Sequence, residues 1–318
     1  MKLKVYGDRM SQPTRAVIIF CKANGIDFQE IKIDIAKRQH LTPEYTEINP
    51  MKQVPAIVDG RFKLFESHAI LRYLACAFPG VAHHWYPADL FTRARINSVL
   101  DWHHSNLRRG TTTLIFNAVL APVFGHPLNP QAAAEAEKIL TSSLSKIESI
   151  WLKGNGKFLL GNSQPSIADL SLVCEIMQLE VLEEKQVDRL LGPHKKILQW
   201  IEDTRKATSP HFDEAHKILF KAKARYNKKQ SSGDNYGTES GIRAMLPSKM
   251  SLEQLTHGLG CCNKFSGKEI TWASTAYSKP LFILFFFLCS FSLSRHSLWC
   301  WHTALCNVSF IRSQLELA

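Results

Sequence analysis

The segment Arg9-Met10-Ser11-Gln12-Pro13 places a hydroxyl just before an apolar stretch of helical spacing: Ala16, Val17, Ile19, Phe20 and Ala23. At a helix N-terminus, backbone N–H groups and the helix dipole favour an anion, and a hydroxyl there can donate a hydrogen bond to it. Ser11 is thereby placed to stabilise a bound thiolate. A free thiol has a pKa of about 8.5, so only a few per cent of it is nucleophilic at neutral pH. One charge-assisted hydrogen bond contributes about 1.5–3 kcal/mol, or one to two pKa units, enough at the upper end to make the thiolate the majority species. The segment itself has no cysteine, so disulfide exchange lacks a nucleophile there. Service as an ordinary helix cap is the competing role for Ser11.

The flanking elements are legible from periodicity. Leu3 and Val5 on one face predict a first strand, and Gly25 ends the helix that follows. Phe28 to Asp34 alternates as a second strand. Val54 to Val58 is a β-branched run, Asp59-Gly60 is a hairpin signal, and Phe62 and Leu64 lie on the return strand. Ser67 is placed to cap a helix with Ile70, Tyr73, Leu74 and Ala77 on one face, stopped by Pro79-Gly80. This order, βαβ followed by ββα, is a thioredoxin-like topology, assigned to residues 1–80. Such a domain does its chemistry where the first strand meets the first helix.

From Asp89 strand signals give way to helices. Ala136, Ile139, Leu140, Leu144, Ile147 and Trp151 follow an Asn129-Pro130 start. Ser166-Ile167-Ala168-Asp169 reads as a capping box ahead of Leu170, Leu172, Val173 and Ile176, a buried central helix. The expected fold class is therefore α/β plus all-α: a thioredoxin-like domain, then an all-helical domain over residues 88–225. Residues 226–318 open with a polar Gly/Ser linker and are expected to form an aberrant or unstructured tail that adds nothing to catalysis.

Charge and cysteine divide along the same line. Of the net charge of +11, residues 1–222 hold 28 Lys+Arg against 23 Asp+Glu, and residues 223–318 hold 11 against 5. The basic pairs are scattered and lack interleaved aromatics, so no nucleic-acid partner is expected. Five of the 8 cysteines (Cys261, Cys262, Cys289, Cys300, Cys306) crowd the tail, and no C-x-x-C occurs, which leaves zinc and dithiol redox motifs unsupported. The start of the chain lacks the apolar region of a signal peptide, and a cytoplasmic location is expected. The 15 residues between Lys279 and Arg295 fall short of the roughly 20 of a spanning helix, though they leave membrane contact by the tail open. Ser248-Lys249-Met250 resembles a peroxisomal address read only at a free C-terminus. A product ending at Met250 would be peroxisomal, with residues 251–318 arising from an altered message end.

The run Ser11-Gln12-Pro13-x-Arg15-Ala16-Val17, then Gln39-His40-Leu41, Asn49-Pro50, Val54-Pro55-Ala56, Asp59-Gly60, Glu66-Ser67 and Trp85-Tyr86-Pro87, resembles theta-class glutathione transferases of plants over residues 1–222. Ser166 to Asp169 matches the helix-capping motif of that family. The resemblance implies that Ser11 activates the thiol of glutathione with Gln12 beside it. It implies that Val54, ahead of a cis Pro55, pairs its backbone with the glutathione cysteine. Glu66 and Ser67 would hold the γ-glutamyl end, and His40 would meet the glycyl carboxylate. For Ser67 a plain capping role, and for His40 simple exposure, remain alternatives. Gln53 stands where many theta enzymes carry lysine, so Lys52 or Arg108 is left to supply the charge. His103 and His104, at adjacent positions, cannot face a common metal. No metal and no cofactor are implied, glutathione being a co-substrate. The implied reactions are conjugation to small apolar electrophiles such as alkyl or aryl halides, and reduction of organic hydroperoxides, by a homodimer. A non-catalytic ligand carrier of the same fold is the rival reading.

Overall fold

In β1 (Leu3–Gly7) alternate residues Leu3, Val5 and Gly7 are buried. The chain crosses through α1 (Gln12–Ala23) and returns as β2 (Phe28–Lys32), parallel to β1 with Leu3 opposite Phe28. The computed structural model describes residues 2–231, with side chains to residue 224. A short α2 (Pro43–Thr46) is capped by Thr42, whose hydroxyl accepts from the Tyr45 N–H. β3 (Ala56–Asp59) runs antiparallel to β1, and β4 (Phe62–Phe65) returns beside β3 with Asp59 opposite Phe62. At the hairpin Gly60 takes φ 60°, a conformation that suits glycine.

The sheet order β2-β1-β3-β4, with β2 parallel and β3 antiparallel to β1, is the expected thioredoxin-like arrangement. β2 stops at Lys32, two residues short of the sequence expectation, although the Ile33 N–H still reaches the Gly7 carbonyl at 2.9 Å. α3 (Ser67–Ala77) follows the hairpin, and its cap differs from expectation. Glu66, at φ 69° and ψ 110°, occupies the N-cap, Ser67 is already helical, and no side chain caps this end. The positive φ at Glu66 moves the helix start one residue back.

Beyond Asp89, whose carboxylate accepts from the Thr92 N–H at 2.7 Å, the described structure is helical. α4 (Leu90–His103) runs through a π-helical turn, His104–Arg108, into α5 (Arg109–Ile115), and a second π-helical turn covers Phe116–Leu120. α6 (Pro130–Lys146) starts as read from the sequence, with the Asn129 side chain accepting from Ala132 N–H. Gly110 lies where α5 meets α6, and a Cβ there would stand 2.7 Å from the Leu140 nitrogen. α7 (Ile167–Ile176) is buried at all ten positions and begins with the expected capping box. Asp169 accepts from the Ser166 N–H at 2.7 Å and, on its other oxygen, from Leu159 N–H and Trp200 Nε1, each at 2.8 Å.

α8 (Glu184–Leu191), α9 (Lys195–Ala207) and α10 (His211–Ser231) complete the described chain. α1 packs against α7 and α10, so one apolar core runs from Val5 and Phe20 through Trp85 to Leu172 and Trp200. No helix among the described residues is long and apolar enough to cross a membrane. The five tail cysteines, the apolar run before Arg295 and the Ser248-Lys249-Met250 tripeptide lie outside the described residues.

Candidate functional site

Between β1 and α1 the chain makes a tight turn fixed by Asp8. One carboxylate oxygen of Asp8 accepts from the Met10 N–H at 2.9 Å and the other from the Ile35 N–H at 3.1 Å, while its carbonyl accepts from the Ser11 N–H at 2.9 Å. Ser11 then stands at the N-cap of α1, yet its side chain makes no capping hydrogen bond. The hydroxyl is thus not committed to the helix, unlike that of Thr42 on α2.

All seven residues singled out from the sequence (Ser11, Gln12, His40, Gln53, Val54, Glu66 and Ser67) line one cavity of about 530 Å³. That volume is within the range usual for small-molecule sites. Lys52 and Arg108, the two cations named beside Gln53, line it too. The far wall is apolar: Ile115, Phe116, Leu120, Val123 and Phe124, carried by the end of α5, its π-helical continuation and the 3₁₀ turn Ala121–Phe124. A polar wall, built mostly from the sheet side and completed by Arg108 and Thr112 from the helical side, therefore borders this apolar wall.

The Val54-Pro55 bond is cis, as the family pattern implies. The segment before it is held through its backbone, since the Gln53 carbonyl accepts from Tyr45 Oη at 2.6 Å and Asn49 Nδ2 at 2.7 Å. The Gln53 side chain remains exposed. His40 lies in a 3₁₀ turn, Gln39–Leu41, half-buried against the cavity and not in an open loop. Burial, and next the charge of Arg38, lower its pKa. Arg108 is bound to Glu175 at 2.9 Å, whereas Lys52 forms no ion pair among the described residues.

Behind the polar wall is a network the sequence reading missed. Glu175, on α7, is fully buried; one oxygen accepts from Gln12 Nε2 at 3.1 Å and Thr112 Oγ1 at 3.3 Å. The other oxygen takes Arg108, and His103 Nε2 is 3.4 Å from it. Burial works to raise the Glu175 pKa, but the charge of Arg108 and the contact with His103 hold it below the usual range. His103 continues the network to His68, whose Nε2 lies 3.1 Å from His103 Nδ1 and 2.9 Å from Ser171 Oγ. Burial pushes the His68 pKa down to about 2, with the neighbouring histidines adding to the effect, so its ring is neutral. Among the described residues no cluster of His, Cys, Asp or Glu is able to hold a metal. The sequence does carry one signal for Glu175: it is a lone charge inside the apolar run Leu170 to Ile176.

The family model "Glutathione S-transferase, N-terminal domain" matches residues 1–76. Glutathione S-transferase T1 of Arabidopsis thaliana is 67% identical over 233 residues, which are 73% of this chain and 95% of that protein. Glutathione S-transferase T2 of the same plant is 67% identical over 230 residues, but these are 72% of this chain and only 39% of that protein. A crystal structure of human glutathione transferase theta-2, in complex with glutathione and an unknown ligand, superposes with a TM-score of 0.65 at 30% identity. The match covers 76% of this chain and 96% of the human one.

Proposed function

The chain belongs to the theta class of glutathione S-transferases, and from that premise we propose that it joins glutathione to small apolar electrophiles through a thiolate stabilised by Ser11. One observation carries the proposal: the uncapped Ser11 hydroxyl opens into a cavity with one polar and one apolar wall. Glutathione occupies the polar wall. Val54 meets its cysteinyl backbone, Glu66 and Ser67 hold its γ-glutamyl end, and His40 and Gln53 face its glycyl carboxylate, with Lys52 lining the same cavity. The electrophile rests against Phe116, Leu120 and Phe124. The thiolate attacks its electron-poor carbon and the leaving group departs with the bonding pair.

With an organic hydroperoxide, the thiolate attacks the distal peroxide oxygen and the alcohol leaves. A second glutathione then resolves the resulting sulfenic acid to glutathione disulfide and water. Residues 1–80 form the glutathione-binding domain in this reading, and residues 88–225 supply the electrophile pocket. A homodimer is part of it, supported by Leu90 and Phe91, which are 76% and 83% exposed at the start of α4. So is a cytoplasmic location, or a peroxisomal one for a product ending at Met250.

The test is turnover of an alkyl halide and an organic hydroperoxide by the full chain, with and without Ser11→Ala. A rate that depends on Ser11 is the expected outcome. Ligand binding with no Ser11-dependent rate would leave the carrier reading in its place.

A further inference from the structure

Arg15 is completely buried one turn into α1, and its hydrogen bonds within the described residues go to neutral acceptors. Nη1 donates to the carbonyl of Arg9 at 2.9 Å and to that of Met10 at 3.1 Å. Nη2 donates to the Cys174 carbonyl at 3.0 Å and to Gln178 Oε1 at 2.8 Å. Its Nε–H is buried without a partner, so the four Nη contacts set the orientation of the group. Burial lowers the pKa to about 10, which leaves the guanidinium charged at neutral pH.

The two carbonyls held by Nη1 belong to the residues immediately before Ser11. Asp8 fixes this loop from the sheet side, and Arg15 fixes it from below, against the end of α7 about 160 residues away in sequence. A planar fork with donors in fixed directions suits this task, because two rigid N–H pairs locate two segments of backbone relative to each other. A hydroxyl that must meet a thiolate tolerates a displacement of only about 0.5 Å.

We infer that Arg15 is a positioning residue for thiol activation: its fork ties the Arg9 and Met10 carbonyls to α7, and so sets where the Ser11 hydroxyl points. The inference rests on the reading of Ser11 as the donor to the thiolate. Arg15 does not line the cavity, and its effect reaches glutathione only through the loop.

The experiment is a spectroscopic titration of the thiol of glutathione bound to the full chain, with KM and kcat measured in parallel, for wild type, Arg15→Lys, Arg15→Met and Gln178→Leu. Both Arg15 variants are expected to raise the thiol pKa by about one unit and lower kcat about tenfold. KM for glutathione should stay within about threefold, because His40, Val54, Glu66 and Ser67 are untouched. Arg15→Lys keeps the charge and loses the fork. Full rescue by lysine would overturn positioning in favour of a simple charge effect, and an unchanged thiol pKa in both variants would overturn it outright. If neither variant accumulates as folded protein, Gln178→Leu carries the test: a raised thiol pKa with KM for glutathione within about threefold supports the inference, and an unchanged pKa, or a raised one with KM displaced through the place of Gln178 itself in the cavity lining, overturns it. Ser11→Ala separates the two claims. If it leaves the thiol pKa unchanged, the Ser11 reading fails, whereas a raised value beside wild-type-like Arg15 variants removes only the inference about Arg15.

Discussion

Replacing Ser11 by alanine separates two roles that a residue at a helix start can play, and the structure makes them give different numbers. A working cap contributes about 1 kcal/mol, and its loss from a chain of this size lowers Tm by about 2–4 °C. Ser11 makes no capping bond, so Ser11→Ala should leave Tm within about 1 °C of wild type. Its hydrogen bond to a thiolate would contribute about 1.5–3 kcal/mol, lowering a thiol pKa of about 8.5 to roughly 6.5–7.5. At pH 7 that thiol is about 24–76% ionised, against about 3% without the bond, so turnover should fall roughly 8- to 25-fold. Thiolate absorbance of bound glutathione, followed against pH, reads the shift directly, and a thermal melt reads the cap. A drop in Tm of several degrees with an unmoved thiol pKa would refute the reasoning, since Ser11 would then be structural.

Gln53→Lys should tighten glutathione binding by up to about fivefold at low salt, the worth of one exposed charge pair, without disturbing the Gln53 carbonyl that Tyr45 and Asn49 hold. Isothermal titration measures it, and an unchanged affinity would mean that Lys52 already supplies the charge. Gly110→Ala should destabilise the fold by about 1–3 kcal/mol in urea, because the new Cβ would meet the Leu140 backbone nitrogen at 2.7 Å; a wild-type midpoint would show that the α5–α6 contact yields freely. Mild acid should also destabilise the fold. Burial lowers His68 to about 2 and His216 to about 3 from an ordinary 6.5, so the folded state keeps both neutral while the unfolded chain protonates them. Their contribution is present above pH 6.5 and is lost as pH falls towards 3, at roughly 1 kcal/mol per pH unit for each ring that is charged in the unfolded chain and neutral in the folded one. Urea midpoints that stay constant from pH 6.5 to 5 would contradict it.

What the sequence disclosed was local. Asp59-Gly60, Asn129-Pro130 and Ser166 to Asp169 each satisfy backbone requirements within a few residues, and the structure places a turn or a helix start at each. The Ser11 junction was legible for the same reason, and the resemblance supplied the order of the remaining cavity residues. Ser67 was misplaced by one position because nothing local announces that Glu66 adopts a positive φ. Glu175 and Arg15 were missed as members of the site because their partners are remote. Gln12 and Glu175 are 163 residues apart, as are Arg15 and Gln178. Only the packing of α1 on α7 brings them together, and periodicity carries no record of which buried polar groups will meet.

Glu175 has a consequence for anyone who would redesign the pocket. Gln12, Thr112 and Arg108 reach the cavity from different elements, yet each has its inner end on the same carboxylate. Groups that share a buried partner do not contribute independently. Removing Arg108 alone leaves the carboxylate short of a cation, while removing Glu175 alone leaves Arg108 without its counter-charge and Gln12 without its anchor. Double-mutant cycles over Gln12, Arg108 and Glu175 should therefore show coupling well above the few tenths of a kcal/mol expected of independent sites. A walk through single substitutions would meet losses at every step even where the combined change is tolerated, so the polar wall is a unit of inheritance larger than any one residue in it.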